Sequence, residues 1–338
     1  MAGRFRHRLA ATGWLVGCLS CVVAAAPSAC GGSAGSGRAP TPWPTLTAGD
    51  RYFATAGRLA PLFLRNISAP NAGGFSPLFA DARAAGTTVV RLQLTQGLGY
   101  DTLGITSAGD ALPAFAAAWD AVISDAAEQG LAVIPVFAIW GDWNDGTPAL
   151  GWTHFDANPL GAAKGGPANS PVALFTEGSE TQRLWLAWLS ALVTRWSARP
   201  NVIAWETFSE LDLATGANQD NATAFARHAR EVVRAADPLA RPVFASTSDL
   251  PLISGRPWSD FWASDATDIA ALHTYDVDLD RAVVARATSA LRITNKPVLL
   301  GESGLDAAPP DGTTITTTSA APIGLEAALW AELFAGVA

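Results

Sequence analysis

From residue 51 to the end of the chain, short apolar runs alternate with longer stretches of helical periodicity. No other feature constrains the fold as strongly. Runs such as 87–94 (TTVVRLQL) and 132–139 (AVIPVFAI) are almost continuously apolar, as strands covered on both faces must be. Strands that alternate with helices imply βαβ units on a parallel sheet. The runs predict strands over 59–67, 87–94, 132–139, 202–208, 243–246, 268–275 and 298–301. Between them the periodicity predicts helices over 75–85, 111–129, 180–197, 222–236, 259–263, 279–291 and 324–334. Gly130 stops the second helix and Asp237-Pro238 closes the fourth, because glycine and proline punctuate helices. The segment 140–176 is rich in Gly, Pro, Asn and Trp. A loop of that length inside a compact domain usually has a function.

The fold class this pattern favours is α/β, a (β/α)8 TIM barrel over residues 51–338. The sequence reaches Gly336-Val337-Ala338 where an eighth strand should start. A barrel lacking its last strand has open edges, which parallel barrels avoid, so a truncated eighth strand is expected.

The first fifty residues read differently. Arg4, Arg6 and Arg8 precede an apolar run from Leu9 to Ala26, followed by Pro27-Ser28-Ala29-Cys30 and a Gly/Ser-rich stretch. Residues 1–30 read as a secretory signal and 31–50 as a Gly/Ser/Pro-rich linker. Cleavage after Ala26 would free the protein. Cleavage before Cys30 would leave a thiol for a lipid anchor, with 31–37 as its tether. Secretion or lipid anchoring at the cell envelope is expected. Cys18, Cys21 and Cys30 all lie in this leader, so disulfides do not hold the barrel.

The net charge of −8 argues against nucleic acid, whose phosphates require a basic surface. It suits a neutral partner. Thirteen Trp supply flat apolar faces with an N–H, and most are expected in the core.

In a parallel barrel, active residues sit at the C-terminal ends of strands. Two glutamates lie there: Glu210, past the fourth strand in VIAWETFSELDL, and Glu302, past the seventh in KPVLLGESG. His273-Thr274-Tyr275 ends the sixth strand, where alternation points His273 and Tyr275 the same way. Arg91 lies in the second strand, in VVRLQL. A cation beside a carboxylate keeps it ionised, although Arg91 could also simply pair with Glu206. Glu206 reads as structural. Trp140 and Trp143 follow the third strand, where a sugar platform and simple loop packing are equal readings. Asn66 ends the first strand and could touch substrate. Trp152 and His154 are weaker candidates. His154 and His228 lack partners at metal-ligand spacing, so no metal site and no cofactor are predicted.

Four of these motifs, in this order, resemble glycoside hydrolase family 5, the cellulase/β-mannanase family of clan A. They are Arg91, Trp205-Glu206 with Ser209-Glu210, His273-Thr274-Tyr275, and Lys296-Pro297 with Gly301-Glu302-Ser303-Gly304. The resemblance spans about residues 51–338. It implies a retaining glycoside hydrolase with Glu210 as acid/base and Glu302 as nucleophile. It implies that His273 contacts the acid/base and that Tyr275 bonds the nucleophile. The implied partner is a β-linked polysaccharide or oligosaccharide of the mannan or glucan class, bound by a monomer. The family carries Asn before the acid/base, to bond the sugar 2-hydroxyl; here Ser209 stands instead, with a shorter reach. The missing eighth strand would normally supply an aromatic residue under the sugar. These two departures keep a second reading open, a catalytically weak or inactive carbohydrate-binding protein on the same barrel. A third is a surface-anchored domain that uses the barrel for protein contacts.

Overall fold

A computed structural model describes residues 42–46, 50–60, 62–67, 74–95, 104–145, 154–248, 258–276 and 278–304. The predicted leader, most of the linker, Trp152 and the helix predicted over 324–334 lie outside these residues.

A small antiparallel hairpin of β1 (Ala54–Thr55) and β2 (Arg58–Leu59) comes first. Parallel strands follow: β3 (Leu64–Ile67), β4 (Val89–Gln93), β5 (Ala132–Val136), β6 (Trp205–Glu206), β7 (Val243–Phe244), β8 (Ser246–Thr247), β9 (Ala270–Tyr275) and β10 (Val298–Gly304). The ladder runs β3-β4-β5-β6-β7, and β8-β9-β10 continues it. Only Ala245 separates β7 from β8, so the two make one broken stave that pairs with β6 below the break and β9 above it. The described strands thus give the seven parallel staves read from the sequence. The last stave, β10, curves round to approach the first, β3.

The helices are α1 (Ser76–Ala84), α2 (Pro113–Glu128), α3 (Glu180–Trp196), α4 (Gln219–Ala236), α5 (Ser259–Ala263) and α6 (Leu279–Ile293). Their starts follow local chemistry. Pro113 opens α2, where its missing N–H costs nothing. The Ser179 hydroxyl accepts from the Gln182 amide at 3.1 Å and caps α3. Asn218 and Asn221 cap each other's backbone, which starts α4 three residues before its predicted onset.

Alternation along the staves makes two apolar layers. Val90 and Leu92 of β4, and Leu94 just after it, face the helices, among a cluster that holds Trp119, Trp188, Trp196 and Trp205. Val89 faces the lumen with Ala132, Ile134, Ile203, Phe244, Ala271 and Leu299. Phe53, just before the hairpin, is buried in that same lumen cluster, with Trp43, Leu46 and Leu62 packed against it. The lumen is therefore filled at its N-terminal end, and the polar residues occupy the other.

Three corrections concern strand boundaries. The first strand is shorter than predicted, because Arg58 and Leu59 belong to the hairpin. The fourth strand is only Trp205–Glu206. Beyond it, Phe208 turns out onto Phe175 and Phe225, with ring centroids 6.2 Å away in each case. The seventh strand continues through Glu302 instead of ending before it.

The long 140–176 segment contains one-turn 3-10 helices at Trp140–Trp143, Phe155–Ala157, Ala162–Lys164 and Pro171–Phe175. No described helix is long and apolar enough to cross a membrane.

Candidate active site

Arg91 organises the polar end of the lumen. It sits mid-barrel on β4 with its side chain fully buried. Its five donors require acceptors there. Nε and Nη2 fork onto Glu206 at 2.6 and 2.7 Å, the two-point geometry that guanidinium and carboxylate favour. Nη2 also reaches Oγ of Ser209 at 2.8 Å. Nη1 donates to Oδ1 of Asn66 at 2.9 Å and to Oε1 of Glu302 at 2.6 Å. Burial disfavours the charge, but Glu206 and then Glu302 hold it, and the guanidinium's pKa lies above its usual value. Arg91 is thus both the structural partner of Glu206 and the cation beside Glu302.

Glu302 is aimed by a bulge. Leu300 pairs with Leu272 and Glu302 with His273, which leaves Gly301 unpaired between them. A bulge re-aims the side chain that follows it. Only glycine suits this position comfortably, since a Cβ on Gly301 would lie 3.1 Å from Nε2 of His273 and 3.4 Å from Nε of Arg91. Oε1 of Glu302 accepts from Arg91 and from Nε2 of Gln93 at 3.0 Å; Oε2 accepts from the Tyr275 hydroxyl at 2.6 Å. Burial would raise this carboxyl's pKa. The positive field of His273 and Arg91 and the donors Tyr275 and Arg91 outweigh it, and bring the pKa down to about 2. Burial and the Glu302 charge push the Tyr275 phenol up, so it stays a donor.

Glu210 reaches the site by a different device. Its backbone is left-handed, at φ 56 and ψ 51, a conformation that costs a side-chain-bearing residue about 1–2 kcal/mol. The turn sends the chain into the 3-10 helix Leu211–Leu213 and leaves the carboxylate beside Oε1's partner, Nδ1 of His273, at 3.0 Å. The same nitrogen lies 3.8 Å from Oε2 of Glu302. Burial opposes charging of this imidazole, yet Glu302 and Glu210 together raise its pKa. One atom each from Glu210, His273 and Glu302 lie within 4.8 Å of one another. That spacing could suit a cation. Both Glu302 oxygens, however, already accept from Arg91, Gln93 and Tyr275, and the guanidinium occupies the position of the positive charge. The donor set fits a hydrogen-bonded acid pair better than a metal centre.

The arrangement therefore gathers Arg91, Ser209, Glu210, His273, Tyr275, Glu302 and Asn66 at one end of the barrel. Trp140 is partly buried nearby, its amide donating to the Ser209 carbonyl at 3.1 Å. Trp143 takes the packing alternative. It is 0% exposed and packs on Phe155, centroids 6.0 Å apart, so its faces belong to the core and not to a platform. Ser209 is buried, and its hydroxyl oxygen accepts from Arg91. His154 lies by Asp156 at 3.5 Å and His228 by Glu177 at 4.0 Å, both away from this cluster.

No family model and no curated protein matches the sequence. Solved structures do match. The endo-1,4-β-D-mannanase of Thermotoga petrophila RKU-1 superposes with a TM-score of 0.61 at 13% identity, over 82% of this chain and 86% of that one. The exo-β-1,4-mannosidase Op5Man5 of Opitutaceae bacterium strain TAV5 gives 0.61 at 16% identity, over 87% of this chain and 53% of that one. A GH5_18 protein of Streptomyces cattleya in complex with Manβ1-4GlcNAc gives 0.59 at 15% identity, over 80% and 68%. The fold is that of the family 5 glycoside hydrolases. At these identities the likeness shows the fold alone, a parallel α/β barrel of the kind these glycoside hydrolases have.

Two residues of this site escaped the reading of the sequence. Gln93 is two positions beyond Arg91, on the same face of β4, and its amide touches Glu302. The period of two could have found it. Ser246 donates to Oε1 of Glu206 at 2.6 Å, and nothing in the run VFASTS distinguishes that serine from its neighbours.

Proposed function

We propose that this chain is a retaining glycoside hydrolase acting on β-linked polysaccharide or oligosaccharide of the mannan or glucan class. One observation carries the reading: the close approach of Glu210 and Glu302, with oxygens within 4.8 Å. Carboxyls about 5–5.5 Å apart leave room for a covalent intermediate, while inverting enzymes need ~6.5–9.5 Å to seat a water. The environments of the two glutamates support distinct roles. Glu302, held ionised by Arg91 and His273, attacks the anomeric carbon. Oε2 is the attacking oxygen, since Oε1 carries two donors and Oε2 lies on the His273 and Glu210 side. The bond to the leaving oxygen breaks as Glu210 gives that oxygen its proton. Water then attacks the glycosyl-enzyme, Glu210 takes its proton, and Glu302 leaves as carboxylate. The leader with Arg4, Arg6, Arg8 and Cys30 supports action outside the cytoplasm, free or lipid-anchored.

The test is hydrolysis of a panel of aryl β-glycosides and β-mannan or β-glucan oligosaccharides, with NMR of the anomer released first. A first product of retained configuration, lost in Glu302→Gln, is expected. An inverted product, or full activity in Glu302→Gln, refutes the mechanism. The buried Ser209, committed to Arg91, favours a second reading, sugar binding without turnover. Any turnover that depends on Glu302 removes it.

A further inference from the structure

Ser246 lies on β8 with no exposed surface, one stave away from Glu210 and outside every motif described above. Its hydroxyl is used in both directions. It donates to Oε1 of Glu206 at 2.6 Å, and its oxygen accepts the backbone N–H of Glu210 at 3.2 Å. Its own N–H donates to the Phe208 carbonyl at 2.9 Å. Ser246 therefore braces the 206–210 segment at three points, across the stretch where strand alternation fails and the backbone turns left-handed. Glu206 is the carboxylate that forks onto Arg91, and Arg91 holds Glu302. A continuous chain thus runs from Glu302 through Arg91, Glu206 and the Ser246 hydroxyl to the amide of Glu210.

We infer that Ser246 is a positioning residue that fixes the strained backbone of Glu210 relative to the Arg91 clamp on Glu302, and so sets the distance between the two glutamates. This rests on the glycosidase reading for its kinetic consequence, but not for its structural one. Alanine at 246 would leave the Glu210 N–H without its acceptor and Glu206 without one donor. The left-handed turn would relax, and the Glu210 carboxyl would move off the leaving oxygen. Glu302 would keep Arg91, Gln93 and Tyr275.

Two measurements on the full chain test this. The first needs no substrate: deuterium exchange of the Glu210 amide, followed by NMR in protein labelled with ¹⁵N-glutamate. Ser246→Ala should speed it roughly five-fold or more, with Glu231 of α4 unchanged as the internal reference. The second compares aryl glycosides with poor and good leaving groups. Ser246→Ala should lower kcat/KM, which reports the first step, about 10–100-fold for the poor leaving group, which needs the acid, and far less for a dinitrophenyl leaving group, which does not. Ser246→Thr, which keeps the hydroxyl, should restore most of the difference. If Ser246→Ala does not fold, Ser246→Cys, close in volume and a weaker donor, carries both measurements. Unchanged exchange at Glu210, or equal losses for both leaving groups, overturns the assignment. If the unmodified protein cleaves no glycoside, the glycosidase reading fails, and the exchange result alone decides whether Ser246 positions Glu210.

Discussion

The hydroxyl of Tyr275 donates to Oε2 of Glu302 at 2.6 Å, on the opposite carboxylate oxygen from Arg91. Tyr275 is 46% exposed, so loss of its hydroxyl should cost little stability. A hydrogen bond to a charged group contributes about 1.5–3 kcal/mol. Tyr275→Phe should therefore lower kcat/KM roughly 10–100-fold and move the acid limb of the pH profile upward, as Glu302 loses a donor. An acid limb that does not move would show that Tyr275 acts only through packing.

Glu210 is predicted to matter in proportion to how poor the leaving group is. General acid–base help is worth about 10²–10⁴-fold. Glu210→Ala should lose that factor on an unactivated oligosaccharide and much less in the first step on a dinitrophenyl glycoside. Added azide should then restore turnover of the activated substrate and yield a β-glycosyl azide, detectable by mass spectrometry. Absence of any azide adduct, with both substrates equally impaired, would assign Glu210 another role.

Arg91→Met should cost folding stability as well as activity. It strips Glu206 and Glu302 of their shared cation inside the barrel, and breaking a buried ion pair by removing one partner costs about 3–5 kcal/mol. Urea denaturation measures this directly. A change below about 1 kcal/mol would mean that water replaces the guanidinium at little cost.

The pH dependence of stability has a definite sign. Glu302 titrates near 2 in the folded chain against an ordinary 4.5. Its contribution is fully present above the ordinary value and fades as pH falls from 4.5 toward 2. His273 is raised above 6.5, so its contribution is present below 6.5 and fades as pH rises through the folded value. The melting temperature of the unmodified protein should exceed that of Glu302→Gln at neutral pH, and the gap should close across the acid window. A gap that stays constant down to pH 2 would refute the depressed carboxyl.

Much of this was legible in the residues. The staves containing Arg91, His273 and Val298 were readable because buried parallel strands leave uninterrupted apolar runs. The four strand-end motifs then placed Glu210 and Glu302 at one end of the barrel, and their geometry matches that reading. What escaped depends on backbone path instead of composition. The left-handed turn at Glu210 has no sequence mark, since glycine or asparagine would be expected at such a φ. Ser246 is one hydroxyl among several in its stretch. Trp143 left packing and a platform open because a long loop does not show which way its rings turn; its described turns pack Trp143, Phe155 and Leu174 into the main core. Ser209 was read by its family position, and Arg91 claimed it first.

Phe53 and the lumen cluster stop the barrel at one end, which makes it a blind vessel. Under the glycosidase reading, sugar, departing alcohol and water must all pass the same mouth. Water reaches the anomeric carbon only after the first product has left, and any other alcohol waiting there competes for the same intermediate. Under that reading, concentrated acceptor sugar should compete with water for the intermediate and divert part of it from shortened glycans to lengthened ones.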